Sequence, residues 1–260
     1  MKVKSLLHAL GLATLVLWGS MFTQAQATRT WVSGVGDDAN PCSRTAPCKT
    51  FAGTISKTAT NGEINCLDPG GMGAVTITKS ITIDCEDTQG SILAAGVTGI
   101  IINITNPTDT RKSVIIRGLT IDGAATGLNG IRIIEAGKVV VEDTIIDGFT
   151  QNGITTENVT NLAMQVVVSR TSIRNVSGTA INAMSTGTSQ VMVSQSLITG
   201  NGTGISAGAE SAVRISGNVI TNNVTGLLHS PRGASIISFL NNTIDGNGTN
   251  GTSTSTVVLQ

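Results

Sequence analysis

The chain has 260 residues, with 16 basic and 16 acidic side chains; charged residues make up only 12% of it and aromatics 2%. Without a basic excess it lacks the electrostatic footprint of a nucleic-acid binder. With tyrosine absent and only two tryptophans, it also lacks the aromatic surfaces on which sugar rings usually stack.

The first 27 residues read as a signal peptide. Lys2 and Lys4 precede an apolar run from Leu6 to Leu17, and Ala25-Gln26-Ala27 supplies a small-x-small cleavage site. The run is too short to serve as a membrane span, so the expected product is exported and secreted, periplasmic or held at the cell surface. Loss of Lys2 and Lys4 with the leader leaves the mature chain with a net charge of −2.

Residues 28–62 form an entry segment and a cap. TRTWVSGVGDDANPCSRTAPC is dense in turn formers. KTFAGTISKTAT then places Phe51 and Ile55 four apart and is followed by Asn61-Gly62, which predicts a short amphipathic helix with a glycine stop. All four cysteines, Cys42, Cys48, Cys66 and Cys85, fall in the first third. An even number in an exported chain points to disulfides. Ile64-Asn65-Cys66 and Ile83-Asp84-Cys85 repeat one tripeptide pattern 19 residues apart. If one coil takes 19 residues, the two thiols stack on neighbouring strands about 4.8 Å apart, within the reach of a disulfide; Cys42 and Cys48 would close a small loop. Free buried thiols are the alternative. A metal site is not expected, because the only histidines are His8, in the leader, and His229.

Residues 63–246 carry an internal repeat. GLTIDG, DTIIDG, RTSIRN, QSLITG, GNVITN and NNTIDG align Ile121, Ile146, Ile173, Ile198, Ile220 and Ile244. Five residues upstream stand Ile116, Val141, Val168, Val193, Ile215 and Phe239; seven upstream stand Val114, Val139, Val166, Val191, Val213 and Ile237. A second ladder runs through Ile131, Ile154, Ile181, Ile205 and Leu227. Repeats of this length with β-branched columns, no helical period and Gly/Asn turns predict a parallel β-helix. Adding Ile64, Ile83 and Ile102 at 19-residue steps gives nine coils. Residues 247–260 read as a tail or one last strand.

Here the residues reach a known family. WVSGVGDDANPCSRTAPCKTFAGTI resembles the opening of exported right-handed parallel β-helix proteins of the pectin-lyase-like superfamily, and INCLDPGGMGAVTITKSITIDC looks like their first full coil. The resemblance implies an all-β, single-stranded right-handed β-helix with a capping helix. It does not imply one activity, since the superfamily holds lyases, hydrolases, epimerases, tailspikes and adhesins. The signatures of its enzyme branches are missing: Gly-His-Gly does not occur, Asp37-Asp38 lies in the entry turn, and His229-Ser230-Pro231-Arg232 lacks the flanking arginines of pectate lyases.

Charge is dense only around three coils: Arg117, Asp122, Glu142, Asp143, Asp147, Arg170 and Arg174. As chemistry, Asp122 and Asp147 would hold a calcium ion and Arg174 would act as base on a bound uronate. As architecture, Arg117 stacks on Glu142, Asp143 on Arg170 and Asp147 on Arg174, ordinary cross-strand pairs. Arg117, Glu142, Asp143 and Arg170 are also the candidate binding residues. The turn asparagines, from Asn175 to Asn247, should stack their amides into ladders. Met164, Met184 and Met192 share no ligand spacing and read as core filling. The architectural reading prevails, with no cofactor and no metal; calcium belongs to the lyase alternative alone. The expected function is a non-catalytic surface or envelope protein whose polar faces meet a polysaccharide or a cell-surface partner, with a polysaccharide lyase or glycoside hydrolase as the alternative.

Overall fold

A computed structural model of the chain describes residues 26–157, 163–184 and 189–258. The predicted leader lies outside these residues except for Gln26 and Ala27. Short strands stack in parallel, coil upon coil, into three walls.

The first wall has ten strands: Ala27–Val32, Thr58–Cys66, Ile81–Asp84, Ser113–Arg117, Lys138–Glu142, Met164–Ser169, Ser189–Ser194, Ser211–Ser216, Ser235–Ser238 and Ser255–Thr256. The second wall carries the Ile121-to-Ile244 column in the register that the sequence predicts. The third carries Ile131, Ile154, Ile181, Ile205 and Leu227, also as predicted. The inward members of all three walls meet along the axis; Val114, Ile116, Ile121, Ile131 and Ile133 are fully buried. Each coil thus contributes two apolar residues from the first wall and at least one from each other wall, which is how a chain with so few aromatics fills its core.

The early register differs from the expectation. Ile64 and Ile83 lie on the first wall, where Ile83 pairs with Ile116 rather than with Ile102. Ile102 lies on the third wall beside Ile133, and the second-wall partner of Ile121 is Ile92. Ile83 and Ile102 therefore belong to one coil, not to two. The coils at the two ends are also irregular: the second-wall strand of the first is only Gly70–Gly71, and the last closes on the isolated bridge from Thr225 to Thr249. About six regular coils remain, from Ile81 to His229, in place of nine.

Three smaller expectations also fail. At Ser235–Ser238 the columns slip by one: Ile236 pairs with Val213 and Ser238 with Ile215, so Ile237 turns outward and Phe239 leaves its column. The capping helix, Phe51–Lys57, is capped by the Thr50 hydroxyl accepting from the Gly53 amide at 2.9 Å. It stops at Thr58 and not at Asn61-Gly62, which lie inside the following strand. Of the three methionines, Met164 is fully buried while Met184 is exposed and Met192 faces outward.

The corners explain the Gly/Asn pattern. Between the first and second walls one residue per coil has a left-handed backbone: Gly118, Asp143, Arg170, Gln195 and Gly217. Between the second and third the corresponding residues include Gly148, Asn175, Gly200, Asn222 and Gly246. Only Gly adopts this conformation at no steric cost, and Asn tolerates it best among the rest. The residues just inside these bends are polar yet buried. Thr144, Thr171, Ser196 and Asn218 stack behind the first corner, and Asn201 and Asn223 behind the second.

Both disulfides are present, Cys42–Cys48 and Cys66–Cys85, the latter with Cα atoms 4.8 Å apart at the ends of adjacent first-wall strands. Among the described residues no helix is long and apolar enough to cross a membrane.

Candidate functional site

The predicted charges collect around the first corner, on two sides of it. Asp84, Arg117 and Glu142 occupy consecutive outward positions at the end of first-wall strands. Arg117 Nε lies 3.2 Å from Glu142 Oε2, and its Nη1 lies 3.8 Å from Asp84 Oδ2. The Nε–H makes no hydrogen bond, so the contact with Glu142 is electrostatic rather than directional.

Asp143 and Arg170 stand in the bend itself. Arg170 donates to both carboxylate oxygens of Asp143, at 2.9 and 2.7 Å. That forked pair holds the Asp143 carboxyl below its ordinary range and raises the Arg170 guanidinium further above its own.

On the second wall Asp122, Asp147 and Arg174 follow one another on three coils. Arg174 Nε donates to Asp147 Oδ2 at 2.7 Å, and Asn175 Nδ2 donates to Asp147 Oδ1 at 2.8 Å. Asp122 Oδ1 accepts from the Ala124 amide at 2.7 Å. Both oxygens of Asp147 are therefore engaged, and a cation seated between it and Asp122 would have to displace Arg174. Among the described residues no group of three His, Cys, Asp or Glu could hold a metal ion.

Sequence reasoning missed several features. Arg132 forms a forked pair with Glu157, at 2.6 and 2.8 Å, on the third wall, and Lys112 pairs with the little-exposed Glu135. Glu135 and Glu157 lie at or beyond strand ends, outside any repeat column, so periodicity could not reveal them. The chain between Asn103 and Ser113 is an insertion that the 19-residue steps do not predict. It is pinned by Asp109, 4% exposed, whose carboxylate accepts from the Ser80 amide, the Ser80 hydroxyl at 2.7 Å and the Lys112 amide at 3.1 Å. Burial pushes its carboxyl up, but these bonds outweigh burial and hold it below its ordinary value. Trp31 borders a cavity of about 340 Å³ beside the cap, with Arg29, Pro41, Ser43 and Lys57. Both cations there are already engaged, Arg29 by Glu63 at 2.6 Å and Lys57 by the carbonyls of Asp38 and Asn40.

The outer face of the first wall is less polar than expected. Its central outward column reads Thr82, Ile115, Val140, Val167, Met192, Arg214 and Ile237. Four apolar side chains in succession, each half-buried, run up its middle.

A family model described as "right handed beta helix region" matches residues 98–257. The chain belongs to that family. Among solved structures, a crystal structure of a pectate lyase superposes with a TM-score of 0.56 at 13% identity, covering 82% of this chain and 68% of that one. A rhamnogalacturonan lyase covers 80% of this chain and 84% of its own at 10% identity, with a TM-score of 0.34. A search of curated proteins finds no match. At 13% identity the likeness to the pectate lyase is one of fold, a right-handed parallel β-helix.

Proposed function

We propose that this β-helix is an exported, non-catalytic protein that meets a polysaccharide or a cell-surface partner along its flat outer walls. One observation carries the reading: each arginine of the candidate cluster is already held by a carboxylate of a neighbouring coil. A guanidinium bound in this way keeps its proton and makes a poor base. A carboxylate with both oxygens engaged, such as Asp147, is a poor ligand for a catalytic cation. Export is supported by the two disulfides, which persist in oxidising compartments, and by the predicted leader.

The test is direct. The purified chain is incubated with pectate, alginate and glycosaminoglycans, with and without calcium, while unsaturated uronide and reducing ends are followed. Neither product is expected, whereas retention on one of the immobilised polysaccharides or on a cell surface is. Cleavage that Arg174→Ala abolishes without lowering the unfolding temperature would sink this reading. Asp122, Asp147 and Arg174 would then be the active site of a lyase.

A further inference from the structure

The apolar column on the first wall is a feature that neither the core nor the ion pairs use. Ile115, Val140, Val167 and Met192 point away from the axis on four consecutive coils, and Ile237 continues the line above Arg214. The columns on either side are polar. Lys138, Gln165 and Gln190 flank one edge; Arg117, Glu142, Ser169, Ser194 and Ser216 flank the other. An apolar seam with a polar rim is the arrangement of a protein–protein interface.

We propose that this face is covered by a second copy of the chain, packed sheet on sheet with the two rods antiparallel. The seam is self-complementary, which points to a second copy, and Arg214 sets the orientation. If the rods ran parallel about a two-fold axis along their length, Arg214 would meet Arg214 in the middle of the seam. In the antiparallel arrangement, centred between Val140 and Val167, Ile115 faces Met192 and Val140 faces Val167. Arg214 then lies opposite Thr82, whose strand carries Asp84 two residues on. Arg117 faces Ser194, Glu142 faces Ser169 and Lys138 faces Gln165, so no like charges meet.

Size fits a weak dimer. Six coils at about 4.8 Å by five residues at about 3.3 Å give a face of roughly 480 Å². Two such faces bury about 1,000 Å², the lower limit for a specific interface. Paired sheets stack about 10 Å apart, a distance that aliphatic side chains of this size bridge from both sides. The inference stands apart from the question of polysaccharide binding, because it uses none of the candidate site residues as ligands.

Sedimentation velocity across a concentration series tests it. A monomer–dimer equilibrium is expected at about ten to a hundred micromolar. Val167→Arg, an outward change, should leave the chain monomeric throughout with an unaltered circular-dichroism spectrum, and Arg214→Glu should weaken the dimer severalfold. A wild-type chain that stays monomeric above about 200 µM overturns the proposal, as does a dimer that Val167→Arg leaves intact. For the orientation, Ile115→Cys and Met192→Cys chains are mixed and treated with a short bismaleimide. Cross-linking between the two variants, and of neither with itself, is expected. Self-cross-linking of Ile115→Cys would overturn the antiparallel arrangement.

Discussion

The lower coils, from Ile81 to Glu135, and the upper coils, from Ser189 to His229, fasten coil to coil by different chemistry. Below, the step from Ile83 to Ile116 spans 33 residues, and the stack is held by a disulfide, a pinned insertion and ion pairs. Above, the step from Val193 to Ile215 is 22 residues, charged side chains are sparse, and buried amides stack. Asn201 Nδ2 donates to Asn223 Oδ1, and Asn223 Nδ2 to Asn247 Oδ1, each at 2.9 Å; Asn218 donates likewise to Asn242. The difference follows from valence. Carboxylates and guanidinia satisfy each other, and even the run from Asp84 through Arg117 ends at Glu142, whereas an amide is donor and acceptor at once and can pass the pattern to the next coil without limit. Amides also carry no charge to desolvate, so they can sit behind the bend at 1–3% exposure where a carboxylate would need a full set of donors.

Ile173→Asp should do the most damage, because that side chain is fully buried between the two regions. An unpaired carboxylate there costs about 4 kcal/mol or more. Loss of one cooperative urea transition for the whole rod is expected; two transitions would mean that the lower and upper coils unfold independently. Replacing Cys66 and Cys85 together by serine should lower stability by about 3 kcal/mol, with faster amide exchange confined to the lower coils. Asn223→Ala should cost about 2 kcal/mol by removing the buried acceptor of the Asn201 backbone N–H and of one Asn201 side-chain N–H, and its exchange signature should appear only in the upper coils. A spread into both regions in either experiment would erase the distinction.

Acid should act from below. The Asp109 carboxyl is depressed in the folded chain, so its stabilisation is complete above its ordinary value of 3.8 and is lost as pH falls through the lower folded value. Asp109→Asn should therefore flatten the acid limb of the stability curve, read as the unfolding midpoint from pH 5 down to pH 2. A limb as steep as that of the wild type would remove Asp109 from the account. The smallest effect is expected for Ser194→Asp, on the outward face: within about 0.5 kcal/mol in dilute solution. A loss comparable to that of Ile173→Asp would reverse the assignment of faces.

The upper coils were legible in the sequence because nothing interrupts their period: the inward columns through Ile198 and Ile220 and through Ile205 and Leu227 are where the spacing puts them. The lower coils were not. The insertion between Asn103 and Ser113 lengthens one coil, and Ile83, Ile102 and Ile121, at 19-residue steps on three different walls, imitate one ladder. A local length change near Ser235 likewise hides the one-residue slip at Ile236. The apolar seam left a signal that went unused. Val139-Val140-Val141 and Val166-Val167-Val168 are unbroken rather than alternating, the pattern of a strand apolar on both faces. The ion pairs at Asp143–Arg170 and Asp147–Arg174 were readable because both partners sit in repeat columns. Arg132–Glu157 was not, because one partner lies past the end of its strand.

The bond between Cys66 and Cys85 also bears on how the protein wears. The chain between them is exposed at Gly71 and Thr78, where a protease can cut. A cut there would sever the backbone between the capped end and the rest of the rod, yet the two pieces would remain one covalent molecule through the sulfurs. The first coil, with its helix cap, could then be shed only after both proteolysis and reduction, a coincidence that an oxidising environment makes rare.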